Sequence, residues 1–298
     1  MAGNLTGHIC EERKMKIGHT GITWGIPGDV EQAYRDTAEL GYQGFETFAS
    51  KILDLNGSRP GGYRGLVESF GIPTAAAYCY KDWINPETAA ADQENARREA
   101  DGLRALPGGE TLVLQAGPRP ADGYAPDQFR RLADALNQIG EYCRQIGLAA
   151  GLHPHTGTAI ETREDIDTVL GLVDVSLIGF APDTGQIAKG GSDILEVMRT
   201  YRDRIVHVHL KDWNGSYERD ADGKEIDRSG YVNYEPIGSG ILPIPEIFAI
   251  LKADGRFGRW VNVELDGTAR APRPPREAAR MSRTYLESVL GNSAAWTS

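Results

Sequence analysis

The chain has 298 residues, 40% hydrophobic and 25% charged, the make-up of an ordinary globular protein. With 32 basic against 42 acidic side chains its net charge is −10, which repels a phosphate backbone and argues against nucleic acid or an anionic membrane surface as partner. The length allows two average domains, yet one α/β barrel commonly takes about 250 residues.

Cys10, Cys79 and Cys143 cannot all pair and none lies in a CxxC, so free thiols and a reducing, cytoplasmic setting are expected. Residues 1–14 lack the apolar run of a signal peptide and read as a flexible tail. No later stretch approaches the roughly 18 apolar residues of a membrane helix. From 15 onward short apolar segments alternate with amphipathic ones. A strand at 16–19 precedes a helix at 29–40, with Asp29 as N-cap and Gly41 as its stop. Strands at 44–47, 73–80 and 111–115 are followed by helices at 62–70, 86–106 and 126–146. In the second half, strands at 148–153, 177–183, 205–211 and 260–265 alternate with helices at 162–173, 193–201, 245–253 and 276–290. Eight strand–helix units without a break in composition predict a single (β/α)8 TIM barrel over 15–298. A polar, aromatic insertion at about 213–240 follows the seventh strand, where it would lie over the catalytic face as a lid.

Barrels place their active sites at the C-terminal ends of the strands. Those ends here carry His19, Glu46, Tyr78 to Tyr80, Gln115, His153 with His155, Asp183, His209 with Lys211, and Glu264 with Asp266. Strand alternation sharpens the pattern, because successive side chains point to opposite faces. In 205–211, Ile205, His207, His209 and Lys211 share one face and Val206, Val208 and Leu210 the other. The same reading turns Gly151 and His153, Gly179, Ala181 and Asp183, and Asn262 and Glu264 toward the barrel axis. Four consecutive strands thus aim His153, Asp183, His209 and Glu264 at one point. One such histidine alone would read as a hydrogen-bonded core residue. Two carboxylates buried together without compensation would cost several kcal/mol each, which a dication offsets. The mixed N/O set suits Mn²⁺, Co²⁺, Fe²⁺ or Zn²⁺ rather than Ca²⁺.

The runs His-Pro-His-Thr-Gly-Thr158, Glu-Thr-Arg-Glu-Asp-Ile-Asp167, Asp-Thr-Gly-Gln-Ile-Ala-Lys-Gly-Gly191 and His-Val-His-Leu-Lys-Asp212 resemble those of the sugar isomerase/epimerase superfamily with the xylose-isomerase-like barrel. Within it they are most similar to the inosose (2-keto-myo-inositol) dehydratases, with a likeness also to the large subunit of C-glycoside deglycosidases. The resemblance implies a divalent metal, Mn²⁺ first, on the four residues already found by phase, and a keto-sugar or keto-cyclitol substrate handled through an enediolate. Ketose 3-epimerases carry a glutamate where this chain has His153, which turns the reading away from an epimerase with two symmetrical carboxylates. The family's Asp-Thr-x-His reads Asp-Thr-Gly-Gln here, so Gln186 can bond a hydroxyl but cannot move a proton.

The expected reaction is dehydration of an inosose-type substrate, with His155 as the base. Lys211 would stabilise the enolate or protonate the leaving hydroxyl. Glu46, Gln115, Gln186 and Asp266 would hold sugar hydroxyls. Lys211 paired only with Asp212 is the structural alternative. His207, deeper on its strand, reads as structural. The alternatives in function are a deglycosidase large subunit cleaving 3-keto-glycosides, a ketose epimerase or isomerase, and a metal-stabilised sugar-binding subunit. A homo-oligomer is expected, with a small second subunit in the deglycosidase case. A barrel endonuclease would need more than the six histidines present and a basic face.

Overall fold

The computed structural model describes residues 15–25, 28–121, 123–227, 232–253, 257–266 and 273–291. The expected tail at 1–14, with Cys10, lies outside them. Eight parallel strands form one sheet: β1 Lys16–Thr20, β2 Phe45–Phe48, β3 Thr74–Tyr80, β4 Thr111–Gln115, β5 Ala149–His153, β6 Ile178–Phe180, β7 Val208–Leu210 and β8 Trp260–Val263. They pair in the order β6-β5-β4-β3-β2-β1-β8-β7. The two sheet ends also meet, because Val206 N–H donates to Phe180 O and His209 N–H to Pro182 O, both at 2.9 Å. The cylinder is closed, and the expected (β/α)8 barrel is the architecture observed.

The helices follow local signals where these exist. Helix α1 Val30–Glu39 starts at Asp29, whose carboxylate accepts from Gln32 N–H, and the chain leaves it through Gly41 at φ +75°. The long α5 Pro126–Ile146 ends at Gly147, and α6 Arg163–Leu172 opens on a Thr162/Asp165 capping box. Two helices have no counterpart in the sequence reading: α2 Ala49–Ser58 and α7 Thr184–Lys189. The first follows β2 without a turn and carries Asn56-Gly57 near its end, which reads as loop. The second is six residues long and has a glycine in its first turn. The apolar core lies between cylinder and helices, with Cys79 and Cys143 buried in it as free thiols.

Inside the cylinder the filling is small and layered. Ala76, Val113 and Ala181 form a separate apolar cluster with Tyr78 packed on it, and Val206 sits below them. A Cβ on Gly179 would come within 2.4 Å of a Val206 methyl, so glycine there makes room for that side chain. The inward Val206 corrects strict alternation in the seventh segment. Phe180 bridges Ile205 and Asp183 bridges His209, three steps on one strand against four on the other. The extra residue is a bulge. It leaves Ile205 in the outer core, brings Val206 inward, and re-aims His207 and His209 into the barrel.

The insertion after β7 carries two antiparallel pairs, Asp212–Trp213 with Tyr234–Glu235 and Glu218–Arg219 with Glu225–Asp227. Its root is tied by one buried carboxylate: Asp212 accepts from the N–H groups of Trp213, Gly238, Gly240 and Leu242. Trp213 and Tyr234 then pack with Leu265 and Ala278, over the C-terminal strand ends. Among the described residues no helix is long and apolar enough to cross a membrane.

Candidate metal centre and surrounding site

His153 ends β5, is fully buried, and donates from Nδ1–H to Ala181 O at 3.2 Å. Its Nε2 lone pair has no protein partner. Asp183 follows β6 and caps α7, accepting from Gln186 N–H on Oδ1 at 2.9 Å. Its Oδ2 lies 2.9 Å from Lys211 Nζ but out of hydrogen-bond alignment. His209, on β7, donates from Nε2–H to Glu46 at 2.8 Å. Its Nδ1 stands 2.9 Å from Glu264 Oε2, again without hydrogen-bond alignment. Ligand atoms of His153, Asp183 and His209 fall within 4.8 Å of one another. Three buried polar atoms without hydrogen-bond partners are costly to crowd together unless something electropositive sits between them, and an ion there would replace the proton that keeps His209 charged in its absence. Glu264 lies at the edge of that trio, with Oε1 2.7 Å from Lys211 Nζ.

The charges say the same. Glu46, Asp183, Glu264 and Asp266 are all buried, and Lys211 and His209 are paired with them as cations. Burial works against a charged His209, but Glu264 and Glu46 outweigh it and hold the imidazole well above its ordinary pKa. Burial likewise opposes the Lys211 ammonium, and Asp183, Asp266 and Glu264 hold it protonated. For Glu264 burial is outweighed by His209 and Lys211, so its carboxyl stays well below the usual range. Burial raises Asp183 and pushes Asp266 up to about 6 despite Lys211, with Glu264 adding to both shifts. A dication bound by two imidazoles and two carboxylates would restore the balance, and that donor set fits borderline transition-metal ions.

Beside this centre runs a hydrogen-bonded chain whose polarity follows from one backbone group. Thr156 N–H can only donate, so the Gln186 oxygen must face it, at 3.3 Å, with Thr156 Oγ1 at 2.7 Å. The Gln186 amide nitrogen then donates to His155 Nε2 at 2.9 Å and Asp266 Oδ2 at 3.2 Å. His155 therefore carries its proton on Nδ1 and gives it to Thr156 O at 2.7 Å. Burial, with Lys211 nearby, brings its pKa down to about 4, so the ring is neutral at pH 7. Lys211 Nζ closes the chain on Asp266 Oδ2 at 2.5 Å, leaving Asp266 Oδ1 without a partner.

The description Xylose isomerase-like TIM barrel matches residues 34–288. The chain belongs to this family. Among its relatives is the inosose dehydratase of Geobacillus kaustophilus (strain HTA426), 26% identical over 299 residues, covering 92% of this chain and 94% of that protein. The inosose dehydratase of Lactiplantibacillus plantarum (strain ATCC BAA-793 / NCIMB 8826 / WCFS1) is 29% identical over 302 residues, covering 94% and 97%. In fold, the chain is similar to a crystal structure described as IOLI protein with a binding zinc atom, at TM-score 0.72 and 16% identity, covering 95% of this chain and 100% of that one.

On this family's barrel the expected ligand residues come together as a tight trio with Glu264 beside it, and His155, Lys211, Gln186 and Asp266 form one network next to them. Lys211 pairs with Asp183, Glu264 and Asp266, while Asp212 serves the insertion. Gln115 keeps an unpartnered Oε1 at the end of β4, its backbone carbonyl accepting from Trp83 Nε1. Glu46 borders a small cavity that opens beside Glu264, walled also by Ile22, Phe48, Tyr78, Thr20 and Thr47. Both Glu46 oxygens are already taken, however, by His209, His207 and Asn262. Sequence reasoning missed Thr156 and Tyr234. The first sits within the His-Pro-His-Thr run, and the second reaches Lys211 Nζ, 4.8 Å from its ring centroid, from the far end of the insertion.

Proposed function

We propose that this chain is a divalent-metal-dependent lyase acting on a keto-cyclitol or keto-sugar, with dehydration of an inosose-type substrate as its reaction. One observation carries the reading: His153, Asp183 and His209, each with a buried polar atom that lacks a hydrogen-bond partner, converge with Glu264 alongside, in a barrel whose relatives named inosose dehydratase match it over more than nine-tenths of its length. Those four side chains would hold the ion, Mn²⁺ first, with Co²⁺, Fe²⁺ or Zn²⁺ as alternatives. When bound, such a dication withdraws electrons from a ketone oxygen and makes the proton on the adjacent carbon removable.

The chain's own groups supply the rest. Loss of water needs one proton taken from that carbon and one delivered to the departing hydroxyl. His155 is the base: its ring is neutral, its tautomer is set by Thr156 O, and its Nε2 lone pair is released when Gln186 turns its amide to a substrate hydroxyl. Lys211 is gripped by three carboxylates and gives up a proton reluctantly, so it stabilises negative charge on substrate oxygen, and His155, having taken the carbon's proton, returns it as imidazolium to the departing hydroxyl, which leaves as water. Asp266 Oδ1 and Gln115 Oε1, buried and unpartnered, accept from substrate hydroxyls. Tyr234 covers the site from the insertion and limits water access.

The test is turnover by the metal-loaded chain of 2-keto-myo-inositol, 3-keto-glucosides and free ketoses. Dehydration of the inosose is the expected result. Cleavage of keto-glucosides only on adding a second protein would move the assignment to a deglycosidase subunit. His155→Ala is expected to keep its metal and lose roughly 100- to 10,000-fold in kcat, the usual share of a general base. Full kcat with full metal would remove His155 from that role.

A further inference from the structure

His209 has donors and acceptors on both sides, and two clusters of potential ligands share it: His153 with Asp183, and Glu46 with His207. His207 Nδ1 and Asn262 Oδ1 on the second side also lack partners, but the two sides differ in whether the carboxylate is already committed. On the first side His153 Nε2, Asp183 Oδ2 and His209 Nδ1 have no hydrogen-bond partner. On the second, Glu46 Oε1 accepts from His209 Nε2–H at 2.8 Å, and Oε2 accepts from His207 Nε2–H and Asn262 Nδ2–H, each at 2.8 Å. A cation entering the second side would have to break three buried charge-assisted bonds. One entering the first breaks none of them.

We propose that Glu46, oriented by His207 and Asn262, is a positioning residue for the metal rather than a holder of substrate hydroxyls. It fixes the proton of His209 on Nε2 and so presents Nδ1 to the ion. Ligating histidines commonly give their second N–H to a carboxylate, which sets the tautomer, aims the ring and raises its basicity. The arrangement crosses the barrel, from the end of β2 to β7 and β8, and the bulge before β7 turns both histidines toward Glu46. The inference rests on the metal site proposed above and deepens it.

The experiment uses the full-length chain labelled with ¹⁵N in its histidines and loaded with ¹¹³Cd²⁺. Expected are ¹¹³Cd couplings to Nδ1 of His209 and Nε2 of His153, with the His209 proton on Nε2. Coupling to His209 Nε2, or to His207, would overturn the inference while leaving a metal site. No coupling to either His153 or His209 would instead remove the metal site itself. In parallel, Mn²⁺ affinity is measured by the free-ion EPR signal for wild type and Glu46→Gln. The variant is expected to bind roughly 10- to 100-fold more weakly. Its His209 should show a mixed tautomer, which a merely structural defect would not produce. Unchanged affinity with the Nε2–H tautomer retained in Glu46→Gln would contradict the role. The wild-type couplings decide the question even if that variant does not fold.

Discussion

Asp183→Asn is expected to give a folded protein that binds no divalent metal at micromolar concentration and turns over keto-cyclitol about a thousandfold more slowly. The fold should survive because the amide oxygen can still cap α7 by accepting from Gln186 N–H, the bond that Oδ1 makes in the wild type. What is lost sits on the other oxygen. Oδ2 is the buried oxygen left without a hydrogen-bond partner in the trio with His153 and His209, and an NH₂ group in its place offers a donor where a lone pair is needed. It also sets that donor against Lys211 Nζ, 2.9 Å from Oδ2. The activity loss follows from removing a Lewis acid worth several kcal/mol of transition-state stabilisation, at about 1.4 kcal/mol per tenfold. Metal binding is read by calorimetry and the fold by circular dichroism. Retention of both metal and turnover would mean that Asp183 is only a cap.

Lys211→Met tests the same centre through its charge. Lys211 Nζ lies 2.9 Å from Asp183, 2.7 Å from Glu264 and 2.5 Å from Asp266, all of them buried. Removing one partner of a buried ion pair typically costs roughly 3–5 kcal/mol, because the remaining charge is left unpaired. Here three carboxylates lose their common cation, so urea unfolding in the presence of chelator should show a loss at or above that range. Saturating Mn²⁺ should recover part of it, since an ion on Asp183 and Glu264 compensates two of the three. Turnover should fall in either condition, because the cation facing substrate oxygen is gone. Equal losses with and without metal would separate Lys211 from the metal centre.

Much of this site is legible in the residues because a barrel strand is a short ruler. In β5, β6 and β8 simple alternation is enough to turn His153, Asp183 and Glu264 inward. Alternation is insufficient in the seventh segment, where one extra residue between Ile205 and His209 shifts the phase; the sequence 205–209 contains no glycine or proline to announce it. The commitment of Glu46 was out of reach for a different reason. Its partners come from 161, 163 and 216 residues away, and only closure of the cylinder brings β2, β7 and β8 together. The same holds for Lys211, whose sequence neighbour Asp212 is drawn off by the backbone of the insertion. Local propensity was weakest for α2 and α7, which are held by packing and a side-chain cap more than by their own composition.

The most direct measurement is an anomalous difference map from crystals of the wild-type chain grown with Zn²⁺. Expected is a single strong peak about 2.0–2.2 Å from His153 Nε2, Asp183 Oδ2, His209 Nδ1 and a Glu264 oxygen. A peak among Glu46, His207 and His209 Nε2, or no peak within the barrel, would contradict it.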